Sequence, residues 1–206
     1  MPIGAGDRTG PEAAPVVGVL ALQGAFDQHR RRLHALGISA PLVRRPADLD
    51  GLDAIVLPGG ESTTMSHLLA TSGLFDELKS HLAAGLPVFG TCAGMILCAT
   101  SVLDGRDDQR GFDLIDLTVR RNGYGRQLQS FEADLTVAQL DDPFHAVFIR
   151  APYVERAGAD VEVLSVHEGV PVLVRAGTCT VAAFHPELTD DVRLHELFVG
   201  SLNVNR

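Results

Sequence analysis

A cysteine framed by glycines, a histidine that ends an apolar run and a glutamate two positions after that histidine are the parts of an acyl-transfer site, and this chain carries all three. The cysteine is Cys92 in Gly90-Thr91-Cys92-Ala93-Gly94, which follows an apolar run at 87–90. That form is a nucleophile elbow, in which flanking glycines permit a sharp strand-to-helix turn and hold the central side chain in a strained conformation. A sulfur placed there lies at a helix N-terminus, where the backbone dipole and free N–H groups favour thiolate, the attacking species. The N–H of Ala93 then points at the developing oxyanion. The alternative is that Cys92 is a small buried hydrophobe, as most free cysteines are, and the five residues alone do not decide between the two. Cys98, inside the helical run 95–99, and Cys179 read as core.

A cysteine nucleophile needs a proton acceptor that later donates to the departing amine, and histidine is the usual partner. Among the eight histidines, His29, His34, His67 and His81 lie on helical patterns among polar neighbours and read as surface residues. His145, His167 and His195 are flanked by turn or helix residues and have no orienting acid on the same strand face. His185 differs: it ends the apolar run 181–184 and is followed by Pro186 and Glu187. The i, i+2 spacing across a proline puts the Glu187 carboxylate beside the imidazole, where it can hold the ring and stabilise its charged form. The alternative there is a simple strand-ending turn.

These residues need a scaffold, and the chain supplies a regular one. A strand at 16–22 stops at Gln23-Gly24 and hands over to a helix at 25–36, which Gly37 closes as a left-handed cap. Strands follow at 40–43 and 54–57, the second halting at Pro58-Gly59-Gly60, then helices at 62–70 and 74–84 and a strand at 87–90. Wholly apolar strands alternating with helices imply a mainly parallel α/β sheet covered on both faces. Beyond Phe112, short strands at 114–119, 135–137, 147–149, 161–166, 170–174 and 180–184 predict a partly antiparallel half. A helix at 188–202, with Asp190 and Asp191 near its start, is expected to turn Val192, Leu197, Val199 and Leu202 inward. In open parallel sheets ligands bind beyond the carboxyl ends of strands, where Gln23-Gly24, Pro58-Gly59-Gly60-Glu61-Ser62 and the Cys92 loop all fall.

Composition narrows the class. The 206 residues are 46% hydrophobic and 21% charged, enough for one sizeable core, and 16–206 reads as a single domain. Residues 1–15, rich in Gly, Ala and Pro, read as a flexible leader. A formal net charge of −9 argues against nucleic acid or an anionic membrane as partner, and the short basic run at 30–32 reads as a solvated helix face. Three cysteines at these spacings fit neither a disulfide framework nor a zinc site, so no metal and a reducing, cytoplasmic setting are expected. The leader has no apolar signal region, and no segment approaches 18 uninterrupted apolar residues.

With Gly90-Thr91-Cys92-Ala93-Gly94 and His185-Pro186-Glu187 both in view, the chain resembles the class I glutamine amidotransferases, whose triad is Cys, His and Glu in this order. Within them, Leu20-Ala21-Leu22-Gln23-Gly24, Pro58-Gly59-Gly60-Glu61-Ser62-Thr63-Thr64-Met65, Arg121-Asn122, Gly125-Arg126-Gln127, Phe148-Ile149-Arg150-Ala151-Pro152 and Phe184-His185-Pro186-Glu187-Leu188-Thr189 look like the glutaminase subunits of pyridoxal 5'-phosphate synthases. The likeness runs from Val17 to about Leu202. Tyr124, Arg120 and the leader depart from the pattern without touching the triad.

The resemblance implies a flavodoxin-like three-layer sandwich. It also implies that Cys92 attacks the carboxamide of L-glutamine, that His185 shuttles the proton and that Glu187 orients His185. Glutamine contacts carry over to Gly60, Glu61, Ser62, Arg121, Ile149 and Arg150, and the oxyanion hole to the N–H groups of Gly60 and Ala93. On residue type alone, a solvated strand edge is the better reading of both Arg121 and Arg150. Gln23, at the end of the first strand, falls where a partner can press on the same edge of the sheet. The implied partner is a (β/α)8-barrel synthase subunit, in an assembly of twelve synthase and up to twelve glutaminase chains. The chain has no phosphate-binding glycine fingerprint and no cofactor is expected, pyridoxal phosphate being the product of such an assembly. The rivals are a glutaminase serving another synthase and a non-catalytic module on the same fold.

Overall fold

The computed structural model describes residues 14–121, 123 and 130–202. Most of the leader, together with Asn122, Tyr124 and Gly125-Arg126-Gln127, lies outside the described residues.

Five strands run parallel: β1 (Val17–Leu20), β2 (Leu42–Val43), β3 (Ala54–Leu57), β4 (Val88–Thr91) and, far along the chain, β12 (Cys179–Ala182). They lie in the order β2-β1-β3-β4-β12, and β11 (Val170–Ala176) and β10 (Glu162–His167) extend the β12 edge antiparallel. β1, β3, β4 and β12 are buried along their whole length, as strands covered on both faces must be, and this is why they read as unbroken apolar runs. Chain direction across the sheet reverses between β1 and β3, so the loops after these two strands meet at a topological switch point.

Helix α1 (Phe26–Ala35) follows β1, and α2 (Ser62–Thr71) and α3 (Leu74–Ala83) follow β3. The short α4 (Ala93–Cys98) follows β4, and α5 (Arg193–Leu202) closes the chain. Strand alternation shows that the helices form two layers. Phe89 packs against His29 of α1 and against His195 and Phe198 of α5. The next residue, Gly90, faces the other way: a side chain there would meet the backbone of Gly94 in α4 at 2.8 Å.

A second group of strands stands beside the sheet. β6 (Ile115–Arg120) pairs with β5 (Ala99–Val102) in parallel and with β9 (Tyr153–Ala157) antiparallel, while β7 (Ser130–Leu135) and β8 (Phe144–Ile149) form a two-stranded ribbon. Here the expectations need correcting. β5 and β9 were not foreseen, the helix expected to run to Ala99 ends at Cys98, and the strand expected at 135–137 runs instead from Ser130 to Leu135.

The last helix begins at Arg193, five residues later than expected, because a single 3-10 turn at Pro186–Leu188 and an extended Thr189 intervene. Its buried face is Leu194, His195, Phe198 and Leu202. Of the four residues expected inward only Leu202 is fully buried. Among the described residues, no helix is long and apolar enough to cross a membrane.

Candidate active site

β12 and β4 pair in parallel with Ala182 opposite Thr91, so Cys92 and His185, which follow them, emerge at the same edge of the sheet. Cys92 is the residue before α4 and holds the strained conformation itself, at φ 49° and ψ −103°. The flanking glycines serve close approach. A side chain at Gly94 would lie 2.2 Å from the Leu57 carbonyl oxygen, so only glycine lets α4 dock against the end of β3. The Cys92 thiol points to the Ile149 carbonyl, 3.9 Å away, and the residue is 6% exposed.

His185 is fixed from two sides. Its backbone N–H donates to the Val147 carbonyl at 2.9 Å, and its Nδ1 lies 2.7 Å from Glu187 Oε1. Burial opposes a charge on this ring, but hydrogen bonds to Cys92 and Glu187 and the attraction of the Glu187 carboxylate outweigh it and raise His185 to about 10. Glu187 is fully buried, which works against its charge. The neighbouring His29 and the bond to His185 reverse the balance, so Glu187 stays ionised below the ordinary carboxylate range.

These groups open into a cavity of about 410 Å³ lined by Gln23, Gly59, Gly60, Glu61, Ser62, Cys92, Arg121, Ile149, Arg150, His185 and others. Its size suits a free amino acid. Glu61 caps α2, its carboxylate accepting the N–H groups of Thr63 and Thr64 at 3.2 and 2.7 Å, and it is ion-paired with Arg121. Partial burial resists this charge, yet the Thr64 and Thr63 bonds and Arg121 lower Glu61 to about 2. The Gly59-Gly60-Glu61 loop is pinned by the segment after β1: the Gly59 carbonyl accepts the Ala25 N–H at 3.3 Å, and Gln23 Oε1 accepts the Glu61 N–H at 3.0 Å.

Residues 19–204 match the SNO glutamine amidotransferase family. The chain belongs to this family. A relative from Mycobacteroides abscessus, 55% identical over 90% of this chain and 96% of its own length, is named pyridoxal 5'-phosphate synthase subunit PdxT. One from Mycolicibacterium vanbaalenii with the same name is 54% identical over 93% of this chain and all of its own. A crystal structure of a glutamine amidotransferase aligns with a TM-score of 0.86 at 46% identity, covering 91% of this chain and 99% of that one. The flavodoxin-like glutamine amidotransferase fold expected from the sequence is the fold observed.

Nearly every residue singled out for this SNO-family chain converges on the one cavity. Two do not line it. Glu187 stands behind His185, and Ala93 is buried at the first position of α4. Arg150 takes a positive φ of 43° as the chain turns out of β8.

One expectation fails. His29, read as a surface residue, is fully buried, with Nε2 3.0 Å from Thr91 Oγ1 and 3.3 Å from Glu187 Oε2 and Nδ1 2.9 Å from His195 Nε2. The signal was present: Phe26, His29 and Leu33 recur at helical spacing on the face that packs on the sheet. His34 and His67 are exposed, as expected, and Cys98 and Cys179 are core. The basic run is only partly solvated, since Arg32 is paired with Asp190 at 2.7 Å and donates to the Glu187 carbonyl at 3.3 Å.

Proposed function

We propose that this chain is the glutaminase subunit of a pyridoxal 5'-phosphate synthase, hydrolysing L-glutamine to L-glutamate and ammonia. The observation that carries the reading is the 2.7 Å bond between a buried Glu187 and His185, beside a strained Cys92, in a cavity that also holds Glu61 and Arg121. Such an arrangement can bind an amino acid and attack its side chain.

Cys92 sulfur adds to the δ-carbon of the glutamine carboxamide. The oxyanion that forms is received by the N–H groups of Ala93 and Gly60. His185, having taken the thiol proton, gives it to the departing nitrogen, and ammonia leaves with the C–N bond pair. A water then loses its proton to His185 and attacks the γ-glutamyl thioester, and the sulfur departs as thiolate. Glu187 keeps the His185 ring in one tautomer and balances its charge throughout. Arg121 and Arg150 suit the substrate carboxylate, and Glu61, Ser62 and the backbone at Ile149 suit its ammonium end.

Ammonia passes to a barrel synthase subunit, in an assembly of twelve synthase and up to twelve glutaminase chains in the cytoplasm. The names of the two relatives, each matched over almost its full length, support this partner. The Gly59–Gly60 peptide gives the oxyanion loop a means of control. With the Gly59 carbonyl held by Ala25, the Gly60 N–H on the same trans peptide points the opposite way, and docking near Gln23 can reorient it.

The test is ammonia release from glutamine by the chain with the synthase subunit, for wild type and Cys92→Ala. Loss of turnover to below about a hundredth in a folded Cys92→Ala protein is expected. Turnover above that level sinks the nucleophile assignment.

A further inference from the structure

A row of buried polar side chains runs away from the cavity behind His185, and the mechanism above uses only its first member, Glu187. Glu187, His29 and His195 are each 0% exposed, at the junction of the sheet with α1 and α5. Glu187 commits Oε1 to His185. Its other oxygen, Oε2, has no well-aligned donor among the described residues, and the nearest group is His29 Nε2 at 3.3 Å. Behind His29 stands His195, whose own Nδ1 is likewise without a partner.

Only one proton arrangement makes this row cheap to bury. With the proton on Nε2 of both rings, His195 donates to His29 Nδ1, and His29 presents an N–H to Glu187 Oε2 and Thr91 Oγ1. The one unmatched ring atom is then a bare lone pair on His195. With the protons on Nδ1, the His29 lone pair faces a carboxylate and His195 buries an unmatched N–H, which costs more. Burial holds both rings below the ordinary imidazole range.

We propose that His29, held from behind by His195, is a positioning residue for glutamine hydrolysis: its Nε2–H fixes the Glu187 carboxylate so that Oε1 meets His185. The inference rests on the glutaminase reading above. His29 does not line the cavity, so it acts through Glu187 and not on the substrate. The groups that face Glu187 are His185 on its own segment, His29 and Arg32 on α1 and, through His29, His195 on α5. Arg32 is paired with Asp190 at 2.7 Å, and none of the substitutions below touches either residue.

The experiment is steady-state glutamine hydrolysis by the full chain with the synthase subunit, as a function of pH, for wild type, His29→Leu, His29→Gln and His195→Leu. Thermal unfolding of each variant is measured alongside. His29→Leu is expected to lower kcat by on the order of tenfold, the low end of what losing an outer partner of a metal-bound histidine costs, with KM for glutamine little changed. The acid limb of kcat/KM should move to higher pH, because the Glu187 carboxylate loses an N–H that favours its charged form.

His29→Gln, whose amide can reach the same oxygen, should restore most of the rate and return the limb. His195→Leu should show a smaller loss in the same direction. If His29→Leu does not fold, the other two variants decide, since the limb must move in His195→Leu and stay in His29→Gln. Unchanged kcat and acid limb in folded His29→Leu, or equal damage in His29→Gln, overturns the proposal. A wild-type complex that releases no ammonia overturns the glutaminase reading and this inference with it, whereas an active wild type indifferent to His29 overturns the inference alone.

Discussion

Replacing Gly59 by alanine places a methyl carbon 2.3 Å from Cε1 and 2.8 Å from Nδ1 of His185. Carbon atoms in ordinary contact stand about 3.5 Å apart, so ring or loop must yield by roughly 1 Å. The ring has little room, because its residue is 7% exposed, its backbone N–H is bound to Val147 and its Nδ1 to Glu187 at 2.7 Å. The loop is pinned through the Gly59 carbonyl to Ala25, and the new carbon also meets Cys92 Cβ at 3.3 Å. Whichever side moves, Cys92, His185 and the oxyanion loop lose their mutual placement. A displacement of about 1 Å in a reacting constellation costs on the order of a hundredfold in rate. The loss should fall on kcat more than on KM, since Glu61 and Arg121 lie away from the clash.

The assay is ammonia release with the synthase subunit present, coupled to glutamate dehydrogenase, with thermal unfolding recorded in parallel. Gly60→Ala is the informative companion. Its added carbon meets the Gln23 amide oxygen at 2.6 Å, the far end of a side chain that can swing aside. Its steric cost is therefore small, and its effect should appear as weaker stimulation by the synthase. Gly59→Ala activity within about threefold of wild type at unchanged stability would refute the placement of Gly59 against His185.

Glu187→Gln should lower kcat/KM and bring the alkaline limb down, since His185 stands at about 10 partly through the Glu187 carboxylate; activity equal to wild type across pH removes Glu187 from the triad. Glu61 is lowered to about 2 from an ordinary 4.5, so its stabilising bonds are complete above the unfolded value and are lost as pH falls from 4.5 toward 2. Unfolding midpoints of Glu61→Gln should accordingly fall less steeply than those of wild type in that window, and parallel curves would refute the assignment. The chain alone should hydrolyse glutamine slowly, and adding the synthase should raise kcat by on the order of a hundredfold if one oxyanion donor is restored. Gln23→Ala should reduce that stimulation, and full activity of the isolated chain, unchanged by synthase, overturns the activation model.

The parallel half of the fold was legible because its strands are buried on both faces. Ala54–Leu57 was read to the residue, being an apolar run closed by Asp53 and Pro58. The second group of strands was not. Tyr153–Ala157 buries only Val154 fully and has no clean alternation, and Ser130–Leu135 alternates exposed and half-buried positions until Leu135. Strands covered on one side lack a continuous apolar signal. The last helix was read too early because apolar spacing continues through 188–192, while the backbone there is committed elsewhere: it carries the turn that holds Glu187, and Asp191 accepts the Arg193 N–H at 3.0 Å where the helix begins.

The same distinction separates the legible part of the site from the missed part. Cys92, His185, Glu187 and the Gly59-Gly60-Glu61 loop lie at strand ends, where glycine and proline punctuate the sequence and a reactive side chain stands out by type. His29, Thr91 and His195 lie within or at the last residue of regular elements, and only their period marks them. Phe26, His29 and Leu33 share one face of α1; Phe89 and Thr91 share one face of β4; His195 joins Leu194 and Phe198 on the buried side of α5. Three polar residues from three elements therefore meet, together with Glu187, in a largely apolar interior. Isolated, each would be a costly burial. Together with Glu187 they satisfy all but two of their side-chain polar atoms, and those two, Glu187 Oε2 and His195 Nδ1, lie at opposite ends of the row, one of them facing the His29 ring. A core that only needed to be stable would have filled this space with leucine and phenylalanine, as it does immediately around it. The row ends on the Glu187 carboxylate that bonds His185, and under the proposed glutaminase reading that is where its cost has a chemical return.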